Sequence, residues 1–268
     1  MILCIDIGNT NIKFAIYEGD KLTASFRVAS KRSSTADEYG VLVRDLFSAA
    51  GLDSKNLQGI IMSSVIPQLN YTIVHMCEDY FGLKPLIVEA GLKTGINVKV
   101  DNPREVGADR IVNSVAAYKK YGGKVPVICI DFGTATTINV ITEKGELIGG
   151  VIAPGIKSSL DSLVNGTAKL PNIELELPKN VICKDTITNM QAGLLYGFAG
   201  LVEYLVAKTK KELKNENAVV VATGGLGAII AEEAACIDYA DRTLTLEGLK
   251  ILYDLNKNDQ KKKKKPRH

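Results

Sequence analysis

Asp6 closes a short apolar run, Ile2-Leu3-Cys4-Ile5, and opens the turn Ile7-Gly8-Asn9-Thr10-Asn11. The same composition returns at Asp131, after Val125-Pro126-Val127-Ile128-Cys129-Ile130 and before Phe132-Gly133-Thr134-Ala135-Thr136-Thr137. Each copy sets a carboxylate, a glycine and small hydroxyl or amide residues into a turn that follows a strand-like run. Glycine lets backbone approach a ligand closely, and turn N–H groups can cradle phosphate oxygens. A carboxylate repels a phosphate unless a cation or an ordered water lies between them. Two such turns facing each other would grip a polyphosphate from both sides, so the implied chemistry is nucleotide handling. Lys13 follows on the same strand face as Asn11, where its ammonium could reach the same phosphates. A tight hairpin turn would also use Asn and Gly, and it is the echo at Asp131, Gly133, Thr134, Thr136 and Thr137 that favours the functional reading.

Two further segments carry chemistry-bearing types. Asn102-Pro103-Arg104-Glu105-Val106-Gly107-Ala108-Asp109-Arg110 lies between the copies. Asp109 could cap a helix starting at Arg110, as most aspartates so placed do. It could also accept a hydroxyl proton while Arg110 grips an anionic substrate group. Thr223-Gly224-Gly225-Leu226-Gly227 would let backbone lie flat against a base or ribose, although a plain strand-to-helix turn explains it about as well. His75 falls within a helical pattern and His268 ends the chain. The sequence has no G-x-x-x-x-G-K-[ST], no G-x-S-x-G and no H-E-x-x-H, so P-loop, acyl-hydrolase and zinc-protease chemistry lack support.

The elements that must position these residues also repeat. Met1–Ile7, Asn11–Tyr17 and Leu22–Val28 read as a three-strand meander, with alternating Ile12, Phe14 and Ile16 giving the strand period. Thr35-Ala36-Asp37-Glu38 caps a helix with the apolar stripe Tyr39, Leu42, Val43, Leu46 and Phe47. A strand at Ile60–Ser64, a helix at Pro67–Phe81 and a strand at Pro85–Val88 follow. After a helix at Arg110–Tyr121, a second meander comprises Val125–Ile130, Ala135–Ile141 and Leu147–Ile152, turning at Glu143-Lys144-Gly145-Glu146. Ile156–Leu163 and Met190–Glu212 have helical spacing, Ala218–Ala222 reads as a strand, and Leu246–Leu255 as a closing helix. The duplication is of whole supersecondary units, which implies two related α/β lobes with a cleft between them. The expected division is residues 1–112, residues 113–256 and a tail at 257–268.

At 268 residues the chain can bury roughly three-quarters of its unfolded surface. Much of the net charge of +3 comes from Lys261-Lys262-Lys263-Lys264-Lys265-Pro266-Arg267-His268, read as a solvated, disordered end. The remainder is slightly acidic, which argues against a nucleic-acid surface. The five scattered cysteines, Cys4, Cys77, Cys129, Cys183 and Cys236, read as buried small hydrophobes in a reducing compartment. Asp6 interrupts the first apolar run, so no signal peptide is expected, and no run approaches the length of a membrane span. The expectation is a cytoplasmic protein without a membrane or nucleic-acid partner.

With these residues in place, the chain resembles the type III pantothenate kinases, members of the acetate kinase, sugar kinase, Hsp70 and actin superfamily. The resemblance covers about residues 1 to 255 and rests on Asp6–Asn11, Gly107–Arg110, Asp131–Thr137, Gly149–Gly155, and Thr186 upstream of Met190-Gln191-Ala192-Gly193. It implies two duplicated ribonuclease H-like lobes, the actin-like ATPase fold, with an ATP cleft between them. It also implies ATP-dependent phosphorylation of pantothenate, the first step toward coenzyme A. Carried over position by position, Asp6, Ile7, Gly8, Asn9, Thr10, Asn11, Ile12, Lys13 and Thr134 would bind ATP with Mg2+. Asp109 would be the catalytic base, and Gly107, Ala108, Asp109, Arg110 and Thr186 would hold pantothenate. Asp131 would bind K+ or NH4+, and the protein would be a homodimer. Val100 stands where the family often has a substrate-contacting tyrosine, so a hydroxyl and an aromatic face are lost there. The competing readings are an actin-like or chaperone-like ATPase, and a non-catalytic regulator that kept the fold.

Overall fold

The computed structural model describes residues 1–263, with side chains through residue 257. In chain order the elements are β1 Ile2–Ile7, β2 Asn11–Glu18, β3 Lys21–Ala29, α1 Ala36–Ala49, β4 Gly59–Ser64, α2 Pro67–Phe81, β5 Leu86–Ile87, β6 Asn97–Val98 and α3 Ala108–Tyr121. They continue with β7 Val127–Phe132, β8 Ala135–Ile141, β9 Glu146–Pro154, α4 Ile156–Asn165, α5 Thr186–Leu213, β10 Val219–Gly224, α6 Gly227–Glu233, β11 Tyr239–Ala240 and α7 Leu244–Lys263. These fall into two compact units. The first holds Met1–Gly95, Arg104–Ala116 and the chain from Thr245 onward, and the second holds Ile96–Pro103 and Ala117–Leu244.

The first unit's sheet has the order β3-β2-β1-β4-β5, in which β1 pairs antiparallel with β2 and parallel with β4. The second reads β11-β10-β7-β8-β9-β6, so β9-β8-β7-β10-β11 repeats the first order and β6 is an added edge. The fold is that of two duplicated lobes, as the paired motifs imply. In both sheets the central strand is a nearly continuous apolar run, because a strand covered on both faces needs apolar side chains at every position. Each carries its aspartate as the last residue but one and so delivers it near the strand's C-terminal end.

Local chemistry sets the helix ends. Thr35 accepts the Glu38 N–H through its hydroxyl at 3.2 Å while the Glu38 carboxylate accepts the Thr35 N–H at 2.7 Å, a complete capping box. Replacing Thr35 by alanine is expected to cost about 1 kcal/mol and lower Tm by roughly 2–4 °C in a thermal melt, with nucleotide binding unaltered. Tyr39, Val43 and Phe47 from the expected stripe are buried, but Leu42 is exposed, because the inner face continues through Gly40, whose missing side chain leaves room for the Tyr80 ring.

Several expectations change. The division at residue 112 gives way to units in which the chain returns: Gly248 lies against the Val112 carbonyl and Gly59 makes room for the Tyr253 ring, which ties α7 to the first unit. Residues 96–103 join the second unit through β6, where Asn97 and Lys99 donate their N–H groups to Gly145 and Leu147 carbonyls at 2.8 Å. Two-residue strands such as β6 and β11 carry too few side chains to show a period. Cys4, Cys77 and Cys129 are buried as expected, whereas Cys183 and Cys236 are only half-buried. Helix α7 runs to Lys263 and takes in the first part of the expected tail, lysine being compatible with helix. Residues 264–268 lie outside the described residues.

Helix α5 corrects the expectation about apolar runs, since an 18-residue window within it reaches a mean hydropathy of 1.3, enough by length and composition for a membrane span. Its buried side carries Met190, Leu194, Leu195, Phe198, Val202 and Val206, which form one core cluster with Ile128, Ile130 and Val220 from the sheet. The apolar length is accounted for by that packing.

Candidate active site

In the first unit the register decides what gathers around Asp6. Lys13 stands opposite it on β2 and Ser63 opposite it on β4, so all three side chains share one face of the sheet. The Ser63 hydroxyl donates to Asp6 Oδ1 at 2.8 Å, and Lys13 Nζ lies 3.6 Å from Asp6 Oδ2. Only 8 % of Asp6 is exposed, and these two contacts satisfy a carboxylate that burial would otherwise penalise. Ile7 and Ile12 turn the other way into the core, so of the expected ATP contacts these two can offer only backbone. The loop between them is both a hairpin and a cradle. The Gly8 N–H reaches the Asn11 carbonyl at 3.0 Å, and Ser30 fixes the outside by donating its hydroxyl to the Gly8 carbonyl at 2.6 Å and its N–H to the Thr10 carbonyl at 3.0 Å. Asn9 and Thr10 remain exposed at its tip.

Asp109 lies in the same unit and near enough to Asp6 for the two charges to interact. Helix α3 begins at Ala108, so Asp109 sits inside the first turn instead of capping it from outside, which corrects the cap expected at this residue. Its Oδ1 accepts the Arg110 N–H at 2.8 Å. Burial raises the Asp109 carboxyl above the ordinary range, and the Asp6 charge pushes in the same direction. The Arg110 N–H and guanidinium oppose them without cancelling them. Arg110 is half-buried, and burial lowers its guanidinium pKa while Asp109 works against that shift.

Gly107 explains how Asp109 keeps this position. A Cβ there would stand 2.5 Å from Asp109 Oδ1. The obstructed atom is the end of a side chain, so alanine at 107 can be accommodated by swinging the carboxylate away. Gly107→Ala is therefore expected to fold with a near-wild-type Tm yet lose roughly tenfold or more in kcat through misplacement of the group. Steady-state kinetics beside a melting curve check this.

The second unit repeats the first with altered chemistry. Asp131 on β7 stands opposite Thr137 on β8 and Thr223 on β10, so threonines occupy the places of Lys13 and Ser63. The Gly133 N–H closes its loop onto the Ala135 carbonyl at 3.1 Å. Thr134 is exposed on that loop, and its carbonyl accepts the Gly155 N–H at 3.1 Å and the Ser158 hydroxyl at 2.7 Å. A Cβ at Gly155 would meet the Thr134 oxygen at 2.3 Å, so the bend after β9 holds the loop by direct backbone contact. Gly224 has φ +94°, and a Cβ there would lie 2.7 Å from Asp131 Oδ1 and 2.5 Å from the Phe132 carbonyl oxygen. The third glycine cluster is thereby tied to the second carboxylate. Thr186 is exposed at the start of α5, a helix capped by Asp185, whose carboxylate accepts the Thr188 N–H at 2.9 Å. Val100 is half-buried in the same unit.

Ser30 and Ser158 escaped the sequence reading because nothing local marks them, Thr223 was read only as the start of a glycine cluster, and Ser63 was passed over. Ser63 had one signal, a polar residue near the end of an otherwise apolar buried strand. His75 is half-buried, with Nδ1 2.9 Å from the Tyr71 carbonyl oxygen, and takes no part in either cluster. Among the described residues no three His, Cys, Asp or Glu side chains gather as a metal site. Each edge carries a carboxylate with a hydroxyl residue on the neighbouring parallel strand, oxygen donors suited to hard cations and not to zinc or copper, and the first edge adds the Lys13 ammonium.

The fold recurs in solved structures of low identity. A protein of Campylobacter jejuni assigned to the Baf family of transcriptional activators matches with TM-score 0.60 and 20% identity, over 96% of this chain and 99% of its own. The (R)-2-hydroxyglutaryl-CoA dehydratase component A of Acidaminococcus fermentans gives 0.55 and 14%, over 96% and 98%. An inorganic polyphosphate/ATP-glucomannokinase of Arthrobacter sp. strain KM gives 0.50 and 16%, again over 96% and 98%. At these identities they speak to fold alone. The sequence itself matches the model of one family, described as type III pantothenate kinase, over residues 2–208.

Proposed function

This chain belongs to the type III pantothenate kinase family, and from that premise we propose which residue performs each part of the transfer. The reaction is the ATP-dependent phosphorylation of pantothenate to 4'-phosphopantothenate, the first step of coenzyme A biosynthesis. The observation that carries the assignment of roles is the half-buried Asp109 carboxylate beside Asp6, held above its ordinary pKa.

Asp109 is the base. Phosphoryl transfer through a loose transition state asks mainly for alignment and charge compensation. Asp109 first orients the primary hydroxyl of pantothenate. The hydroxyl oxygen then bonds to the γ-phosphorus as the bond to the β–γ bridging oxygen breaks, and the proton passes late to the Asp109 carboxylate. ADP carries away the bridging oxygen. A carboxyl raised by burial and a neighbouring charge accepts that proton more readily than an exposed one with its pKa of about 3.9. Arg110 pairs with the pantothenate carboxylate and fixes the substrate end for end, with Gly107 and Ala108 beside it. In the first unit, Asp6 through Lys13 hold the nucleotide. Mg2+ on the phosphates supplies charge compensation, with Asp6 on its side of the site and the Lys13 ammonium close by.

Asp131 is the site of the monovalent cation, K+ or NH4+. Support comes from the hydroxyl residues Thr137 and Thr223 at the register positions beside it, Thr137 being uncharged at the place where the first unit has Lys13. The protein works as a cytoplasmic homodimer. A coupled assay of ADP release with pantothenate, run in potassium and then in sodium, tests the whole reading. Pantothenate-dependent release that falls in sodium is expected. ATP hydrolysis indifferent to pantothenate would favour an actin-like or chaperone-like ATPase instead.

A further inference from the structure

We infer that Ser63 is a positioning residue for Asp6, fixing the carboxylate on which the metal–nucleotide side of the site depends. The inference rests on the role just given to Asp6. Ser63 is fully buried near the C-terminal end of β4, with its hydroxyl 2.8 Å from Asp6 Oδ1. The second oxygen, Oδ2, faces Lys13 Nζ at 3.6 Å, a longer and looser contact made by a flexible side chain. The serine has a short stem locked between strands, so it is the contact that sets the plane of the carboxylate. A hydrogen bond to a buried carboxylate oxygen is among the stronger kinds.

The fold offers its own comparison. Thr223 occupies the equivalent register position beside Asp131, on the strand that pairs parallel with the central one. Thr223 is also buried, at 2 % exposure. In each sheet the carboxylate therefore has a hydroxyl residue on the neighbouring parallel strand, although the β2 and β8 positions differ as lysine and threonine. The threonine also shows that this scaffold accommodates a β-branched hydroxyl at that place, which supplies a conservative variant.

Three variants, Ser63→Ala, Ser63→Thr and Asp6→Asn, test it against the wild type by calorimetric titration of ADP at varied Mg2+ and again in EDTA, with melting curves of each unliganded protein. In Ser63→Ala the Mg2+ concentration for half-maximal ADP binding is expected to rise about tenfold, with ADP affinity in EDTA unchanged. Ser63→Thr should recover the wild-type Mg2+ requirement. A purely structural serine would lower Tm without moving that requirement, and that outcome overturns the inference. If Asp6→Asn shifts the Mg2+ requirement while Ser63→Ala does not, the inference fails and the role of Asp6 stands. If Asp6→Asn itself leaves the requirement unmoved, the reading of Asp6 falls and the inference falls with it.

Discussion

Asp109→Asn is expected to lower kcat for pantothenate phosphorylation by about 10²–10⁴-fold and, at neutral pH, to raise Tm. The two effects have one cause. Burial and the Asp6 charge hold the Asp109 carboxyl above its ordinary pKa. A group whose folded pKa is raised contributes stability that is fully present below its unfolded pKa, about 3.9 for aspartate. That contribution is lost as pH climbs through the folded value. At neutral pH the wild type therefore carries a half-buried carboxylate within reach of the Asp6 charge, whereas asparagine carries no charge. The gain in Tm should shrink as pH falls below the folded pKa and vanish near pH 4, measured by melting curves at several pH values. Wild-type activity should decline on the acid side in a limb displaced above that of an ordinary carboxylate. A variant that loses activity without gaining stability would mean that Asp109 is not strained by its surroundings. Retained activity would remove it as the base.

The second large effect concerns the other carboxylate. Asp131→Asn is expected to reduce kcat by about 10²-fold and to leave an enzyme that no longer distinguishes potassium from sodium. The companion variant, Thr137→Lys, copies the first unit's arrangement, in which Lys13 faces Asp6 across an antiparallel pair at 3.6 Å. Thr137 holds the same register position against Asp131 and is half-buried as Lys13 is. An ammonium introduced there should supply the positive charge from within the chain, so Thr137→Lys is expected to lose most of its response to added potassium. Initial rates across a potassium titration in sodium-balanced buffer give the answer. If Asp131→Asn keeps the potassium response, the cation is held elsewhere.

How far the sequence foretold this molecule follows the range of the interactions concerned. The two Asp-containing turns, the meanders and the Thr35–Glu38 capping box are built from neighbours in the chain, and each was legible. The hydroxyl at Ser63 is brought to Asp6 by a parallel pairing across more than fifty positions, and its one local mark, a polar residue near the end of an apolar strand, does not name that partner. Gly155 and Gly224 matter through backbone approaches to Thr134 and Phe132 that exist only once the sheet has formed. The same holds for α7, which returns to the first unit through Gly248 and Tyr253. Asp109 shows an ambiguity of a different kind. An aspartate at a helix start is read first as a cap, and only its place within the first turn and its burial near Asp6 separate the two roles.

The central claim is transfer of a phosphoryl group from ATP to the hydroxyl of pantothenate. Its most direct measurement is 31P NMR of a reaction holding the protein, ATP, Mg2+, potassium and pantothenate, followed to completion. The account predicts one phosphomonoester on the primary hydroxyl of pantothenate for each ADP formed, with no inorganic phosphate. ADP appearing with inorganic phosphate alone would contradict it.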